Sequence, residues 1–296
     1  MKLYAQHGAL GGDKTLEGIR RQYIDGVIYS PRDIAAPQLR QYINDISTTR
    51  SEADQFFDPQ YYAGYNVSDP EARRGRLESC EEYGSFFRSR TRRQLEGDPD
   101  LLRKDIRDCL TFQCPLNLSG VISPNILITR SFDSIEAVVS KNFIRQAGPV
   151  HAELTCREPL YVTLAVSREA LMDRNELLSF LEDITILDPP PHGFYVLVAA
   201  RSEDARTDIF NADVIAGWML MNRSLSVNGF EIVNGYCDIL TPFLGVAGAT
   251  AGATGWWSNL RTFSLSRFLP AGGGRLPIPR YLSKRLLNRI THIELS

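Results

Sequence analysis

Val233-Asn-Gly-Tyr-Cys-Asp-Ile-Leu-Thr-Pro-Phe-Leu-Gly-Val-Ala-Gly-Ala-Thr-Ala-Gly-Ala-Thr-Gly-Trp-Trp257 is the stretch whose reading decides the fold. It predicts the end of one buried strand, a short helix packed through small residues, and a second strand with a glycine-rich mouth. Gly248, Gly252 and Gly255 carry no side chain, so backbone N–H groups there can approach an anion closely. The loops after the last two strands of a (β/α)8 barrel are a frequent phosphate site. The run is not a Walker A loop, because no Gly-Lys-Ser/Thr follows, nor a Gly-x-Gly-x-x-Gly turn at the first strand. Glycine and alanine here equally suit close helix–strand packing, so both readings stand.

Working outward, apolar runs of strand length alternate with helical patterns. Lys2–Gln6, Gly26–Tyr29 and Gln55–Phe57 read as the first three strands. A helix is expected around Thr15–Tyr23, and another over Pro37–Ile46, where Leu39, Tyr42, Ile43 and Ile46 share a face. The fourth strand is either Asn125–Thr129 or Val150–Leu154. Asp133 or Ser134 caps a helix that Gly148-Pro149 ends near Ala147, with Glu136 placed for a capping box. Tyr161–Val166 reads as a strand, and Phe194–Ala200 is a continuous apolar run of the kind buried on both faces of a parallel sheet. Glu176–Ile186 and Asp208–Leu225 are helices, and Phe230–Val233 follows the Asn228-Gly229 turn. A β-then-α rhythm of this kind points to a parallel sheet, and about 250 residues suffice for a barrel. The fold expected is a single (β/α)8 barrel over residues 1–257.

Two regions break the rhythm. Asp69–Asp108 is dense in charges of both signs and reads as a solvated helical insertion near residues 69–110, or as a lid or partner surface. Residues 258–296 form a basic extension expected to pack on the barrel through a helix over Tyr281–Ile290. Arg261, Arg267, Arg275, Arg280, Lys284, Arg285 and Arg289 stand there against Glu294 alone, a net of +6, which leaves -8 for the remainder of a chain whose total is -2. Arg280, Lys284, Arg285 and Arg289 are candidates to meet a nucleic acid or a protein partner.

With 43% hydrophobic and 23% charged residues among 296, the composition is that of an ordinary globular protein, and the small net charge argues against binding polyanions over the whole surface. Five cysteines without Cys-x-x-Cys pairing predict reduced thiols rather than a disulfide framework or a zinc knuckle, and with them a cytoplasmic location. The start, Met1-Lys-Leu-Tyr-Ala-Gln-His-Gly8, lacks the pattern of a signal peptide. No apolar stretch approaches the roughly 18 residues of a membrane span, so no membrane partner is expected.

In a parallel barrel, residues just after each strand gather at the mouth. That places His7, Ser30, Arg32, Asp33, Asp58, Ser167, Arg168, Arg201, Asn234 and Thr254 together. Asp58 and His7 are the candidate proton-transfer groups. Arg168 and Arg201 offer bidentate contacts to phosphate or carboxylate, unless each pairs with an acid such as Glu169 or Asp204. Asn234, Gly252, Thr254 and Gly255 complete a substrate-binding set, with Trp256 as a stacking surface. Cys237 reads as a buried small hydrophobe. No His-x-His or His-Glu-x-x-His spacing suggests a metal, and no cofactor is named by any motif. The chain lacks the cysteine–histidine zinc cluster of tRNA-guanine transglycosylase barrels.

Two functions follow from different classes. One is an enzyme acting on an anionic, phosphate- or nucleotide-like substrate. The other is a non-catalytic barrel docking in a larger assembly that handles nucleic acid. An open pocket joining Asp58, Arg168, Arg201 and Asn234 favours the first, and a plugged mouth the second.

Overall fold

The computed structural model describes residues 1–9, 12–67, 83–201, 209–269, 280–283, 285, 288–291 and 294. In chain order the elements are β1 (Lys2–Gln6), α1 (Gly12–Arg20), β2 (Gly26–Tyr29), α2 (Ala36–Thr49), β3 (Asp54–Phe57), α3 (Tyr62–Asn66), α4 (Arg92–Gly97), α5 (Pro99–Gln113), β4 (Val121–Ser123), β5 (Leu127–Ile128), α6 (Ile135–Glu153), β6 (Leu160–Ser167), α7 (Arg174–Thr185), β7 (Gly193–Ala199), α8 (Ala212–Val227), β8 (Glu231–Gly235), α9 (Thr241–Val246), β9 (Ala251–Thr254), β10 (Arg280–Ser283) and β11 (Asn288–Thr291). Every ladder of the main sheet is parallel, and β9 pairs with β1 to bring the sheet round on itself. β4 and β5 both pair with β6 and share the fourth position, giving an eight-position (β/α)8 barrel. At the boundary between β3 and β4 there is no ladder. There the Ser119 N–H donates to the Gln55 carbonyl at 2.8 Å and the Gln55 N–H donates to Ser119 Oγ at 2.9 Å.

The strands are buried because helices cover one face and the barrel interior the other; every residue of β6 and β7 is buried. Tyr4, Phe56 and Tyr161 pack against one another at the N-terminal end of the interior. Their bulk requires small neighbours: a Cβ on Gly120 would stand 2.6 Å from the Tyr161 ring. On the outer layer, α2 begins with proline in its first turn and buries Leu39, Ile43 and Ile46, as its spacing predicts.

Several expectations are corrected. α6 runs through Gly148-Pro149 to Glu153, so Val150–Leu154 is not a strand. Gly148 serves a close approach instead, since a Cβ there would lie 2.7 Å from the Pro189 carbonyl. Ser134 caps this helix by accepting from the Ala137 N–H, and Glu136 forms no capping box. The inserted region is not merely a solvated excursion. Asp105 of α5 is fully buried and accepts two hydrogen bonds from Arg90, at 2.6 and 2.7 Å, and one from the Tyr61 hydroxyl at 2.6 Å. Residues 69–82 lie outside the described residues.

The cysteines also depart from expectation. Cys114 and Cys156 form a disulfide, because the end of α5 and the turn after α6 bring their Cα atoms to 5.3 Å. Cys109 and Cys237 are buried free thiols. The expected helix over Tyr281–Ile290 is instead an antiparallel pair, β10 with β11, in which Tyr281 faces Ile290. Aromatic and β-branched residues suit such paired positions, and apolar spacing alone does not separate a short helix from a strand–turn–strand. Among the described residues, no helix is long and apolar enough to cross a membrane.

Candidate functional site

Asp58 follows β3 and is fully buried at the C-terminal end of the barrel interior. Its Oδ1 accepts the Gln60 N–H at 2.9 Å; its Oδ2 accepts the Tyr62 hydroxyl at 2.8 Å and the Tyr195 hydroxyl at 3.3 Å. Burial raises its pKa to about 6, against the opposing pull of these donors and of the Arg267 guanidinium. Gln6, two residues up β1 from Tyr4, donates to the Tyr195 hydroxyl at 3.2 Å. Gln60 reaches the Tyr236 hydroxyl at 3.5 Å.

The mouth above this carboxylate is closed. Residues 260–268 cross it, with the Ala200 N–H donating to the Phe263 carbonyl at 2.9 Å. Phe263 sets its ring edge against Tyr62, and Phe268 does the same from 6.0 Å. Arg267 is fully buried in the same segment, 4.9 Å from the centre of the Tyr236 ring. Its Nη2 donates to Asp33 at 3.0 Å, while among the described residues Nε and Nη1 have no hydrogen-bond partner. Arg32 donates to the Arg267 carbonyl and to Asp33, and Ser30 donates to Asp33 as well.

The residues expected at the mouth are therefore only partly brought together. Ser30, Arg32, Asp33 and Asp58 are at it. His7 is buried but faces the helical layer, its ring 4.7 Å from that of Tyr42 and 5.6 Å from that of Tyr29; burial lowers its pKa to about 4. Arg168 and Arg201 both turn to Glu169, at 3.7 and 3.0 Å, the ion-pair alternative for these residues. Asn234 points away from the interior toward α8, accepting the Trp218 indole N–H at 2.7 Å and exchanging hydrogen bonds with Asn222. Gly252 faces α9, where a Cβ would meet Thr241, Met1 and Cys237 within 3.0 Å, so its smallness serves packing. Gly255 allows Leu260 to fold back onto the chain, and a Cβ there would stand 2.1 Å from Leu260 Cβ.

Thr254, Gly255 and Trp256 line a different space. A cavity of about 540 Å³ opens between α1 and the ends of β1 and β9, lined also by Gln6, Lys14 and Arg261. Trp256 and Trp257 are 61% and 49% exposed there, and the Lys14 ammonium lies 4.1 Å from the centre of the Trp256 ring. A smaller cavity of about 230 Å³ shares Gly8, Trp257 and Leu260 with it and reaches Arg32 and Asp33.

Tyr62 was readable as a hydroxyl donor beside Asp58, and it is one; sequence reasoning missed Gln6, Gln60, Tyr195, Tyr236 and Arg267. Gln6 and Tyr195 carried one signal, being polar residues at the alternate positions of a strand that face the interior. Arg267 carried none. Among the described residues, no three His, Cys, Asp or Glu side chains are grouped to hold a metal. Arg280 and Arg289 belong to the β10–β11 pair, Arg285 is exposed between the two strands, and Lys284 lies outside the described residues.

No family model matches the chain, and no curated protein matches it in sequence. Among solved structures, it is similar to the 3-dehydroquinate dehydratase of Aquifex aeolicus at 9% identity and a TM-score of 0.43, over 90% of this chain and 94% of that one. It is similar to an HpcH/HpaI aldolase of Desulfitobacterium hafniense at 7% identity and a TM-score of 0.46, over 86% and 85%. A putative mandelate racemase of Bordetella bronchiseptica, complexed with 2-oxoglutarate/phosphate, is similar at 9% identity and a TM-score of 0.44, over 88% of this chain and 53% of that one. Likeness at this level carries nothing about chemistry.

Proposed function

We propose that the chain is a (β/α)8 enzyme acting on an anionic substrate, with Asp58 as its acid–base group and Arg267 as its anion contact. The observation that carries this reading is Asp58 itself: a fully buried carboxyl at the C-terminal end of a barrel strand, with its pKa raised by burial to about 6. Catalytic groups of this fold stand at that end, and an acid poised near neutrality both gives and takes protons. A buried carboxylate destabilises the folded state at neutral pH, so its presence favours a role beyond packing. Arg267 replaces Arg168 and Arg201 in the anion role, since those two share Glu169. Substrate reaches Asp58 when residues 260–268 open, and Arg267 meets its anion when that segment closes again. His7 is not part of this reading, because its ring is turned to Tyr42.

The test is exchange and turnover in D2O, followed by NMR, over a panel of phosphorylated and carboxylated metabolites. Wild-type protein turns over or deuterates at least one, and Asp58→Asn lowers that rate by about a hundredfold or more while remaining folded. Binding without turnover across the panel, or an unchanged rate in Asp58→Asn, ends the reading.

The closed mouth favours a second reading, a non-catalytic barrel in an assembly that handles nucleic acid, docked through Arg280, Lys284, Arg285 and Arg289. It requires a salt-dependent shift of labelled RNA or DNA that is abolished by neutralising those four residues. The Cys114–Cys156 disulfide fits an oxidising compartment better than the cytoplasm.

A further inference from the structure

We propose that the cavity between α1 and the ends of β1 and β9 is a nucleotide site, with the base stacked on Trp256 and the phosphate held by Lys14. The site stands apart from the Asp58 centre and does not depend on its role.

Trp256 is the starting point. An indole ring 61% exposed beside a cavity of about 540 Å³ loses apolar burial that most tryptophans gain. The backbone that carries the ring is nevertheless held in place. The Arg261 guanidinium donates to the carbonyls of Gly255 and Trp256, at 2.8 and 2.7 Å, and fixes the turn that presents it. An exposed aromatic face presented by a fixed turn on a cavity of ligand size is what base stacking requires.

Lys14 supplies the second part. Its ammonium lies 4.1 Å from the centre of the Trp256 ring and 5.6 Å from that of Trp257, and among the described residues it makes no ion pair. The carboxylate one helical turn on, Glu17, is already taken by Arg20 and Arg21. A planar ring entering over Trp256 displaces the ammonium from the indole face. The ammonium then needs a counter-charge, and a phosphate attached to the entering ring provides it at short range. A cationic ligand is opposed by Lys14 over the same rings, and of the two carboxylates that also line the cavity, Asp13 and Glu17, the second is already paired with Arg20 and Arg21.

Thr254 supplies the third part. It lines the same cavity, and its Oγ1 is buried without a hydrogen-bond partner among the described residues. Buried hydroxyls of this kind are uncommon, and a χ1 rotation that turns it to the cavity would let a ring nitrogen or exocyclic group of a base satisfy it. Stacking face, counter-ion and buried polar contact together describe a purine or pyrimidine nucleotide rather than a sugar phosphate, which lacks the ring to stack.

The test is isothermal calorimetry with AMP, adenosine, ribose 5-phosphate and choline on the full chain. AMP binds saturably at one site and more tightly than ribose 5-phosphate. Trp256→Ala weakens AMP by about ten- to a hundredfold, the range of a single stacked base, and the variant folds because the side chain is exposed and Arg261 holds only backbone. Lys14→Ala weakens AMP but does not weaken adenosine, which no longer has to displace an uncompensated ammonium, and this separates charge from stacking. Absence of saturable AMP binding, AMP binding indifferent to Trp256→Ala, or choline binding more tightly than AMP would each overturn the proposal.

Discussion

The guanidinium of Arg267 meets the carboxylate of Asp33 at 3.0 Å, joining the loop after β2 to the segment that crosses the barrel mouth. Both groups are buried, with side-chain exposures of 0% and 6%. Arg32 binds the same carboxylate from the other side at 2.7 Å. Removing Arg267 therefore leaves Asp33 partnered, and the loss falls mainly on the segment's attachment. Arg267→Met is expected to destabilise the fold by about 1.5–3 kcal/mol, the range for a charged hydrogen bond. The same change removes a cation that lowers the Asp58 pKa, so the carboxyl should titrate above its present value of about 6. Infrared titration of the Asp58 carboxyl checks the direction, and a downward move refutes it.

Asp58 and His7 work against each other in nearly the same pH window. The pKa of Asp58 is raised from 3.8 to about 6, so its share of stability is present below pH 3.8 and lost as pH rises through 6. The pKa of His7 is lowered from 6.5 to about 4, so its share is present above pH 6.5 and lost as pH falls through 4. Each shift corresponds to about 3 kcal/mol. The wild-type protein should thus show a shallow pH profile from these two groups between pH 4 and 6. Asp58→Asn should unmask a stability that climbs with pH, and His7→Gln one that declines. Urea denaturation at pH 4, 5, 6 and 7 resolves the slopes; identical slopes in the two variants contradict the assignment.

Asp105 is expected to be the most sensitive position of the inserted region. Asp105→Asn leaves the Arg90 guanidinium buried without its counter-ion and should destabilise the fold by about 3–5 kcal/mol. Replacing both partners, Arg90→Met with Asp105→Leu, should recover much of that loss. A double-mutant cycle in urea reads the coupling, and additive single effects argue against it.

The Cys114–Cys156 bridge closes a loop between residues 42 apart in sequence. Constraining the unfolded chain in this way is worth about 2–4 kcal/mol. Cys114→Ser, or reduction of the wild type, should lower the denaturation midpoint by a matching amount, and reduction should leave the midpoint of Cys114→Ser unchanged.

The barrel was legible because strands buried on both faces read as apolar runs, unbroken in Gly193–Ala199 and interrupted before its last residue only by Thr163 in Leu160–Ser167. The site was legible only where strand parity agreed with position. Gln6 and Asp58 stand at interior-facing positions and meet at the Tyr195 hydroxyl. His7 and Asn234 are each one residue past an interior-facing position, and the pleat sends them to the helices. Arg267 was beyond reach of any local pattern, because its partner Asp33 lies 234 residues away and only the completed ring brings them together.

Ser119 and Gln55 have a wider consequence. A hoop fastened by ladders everywhere else but by one serine at this join has a preferred place to part. The longest detour of the chain, from Asp58 to Gly120, leaves and returns on either side of it. Added sequence could be accommodated here over time without prising apart any neighbouring strands, whereas a similar insertion into β6 or β7 would have split the wall.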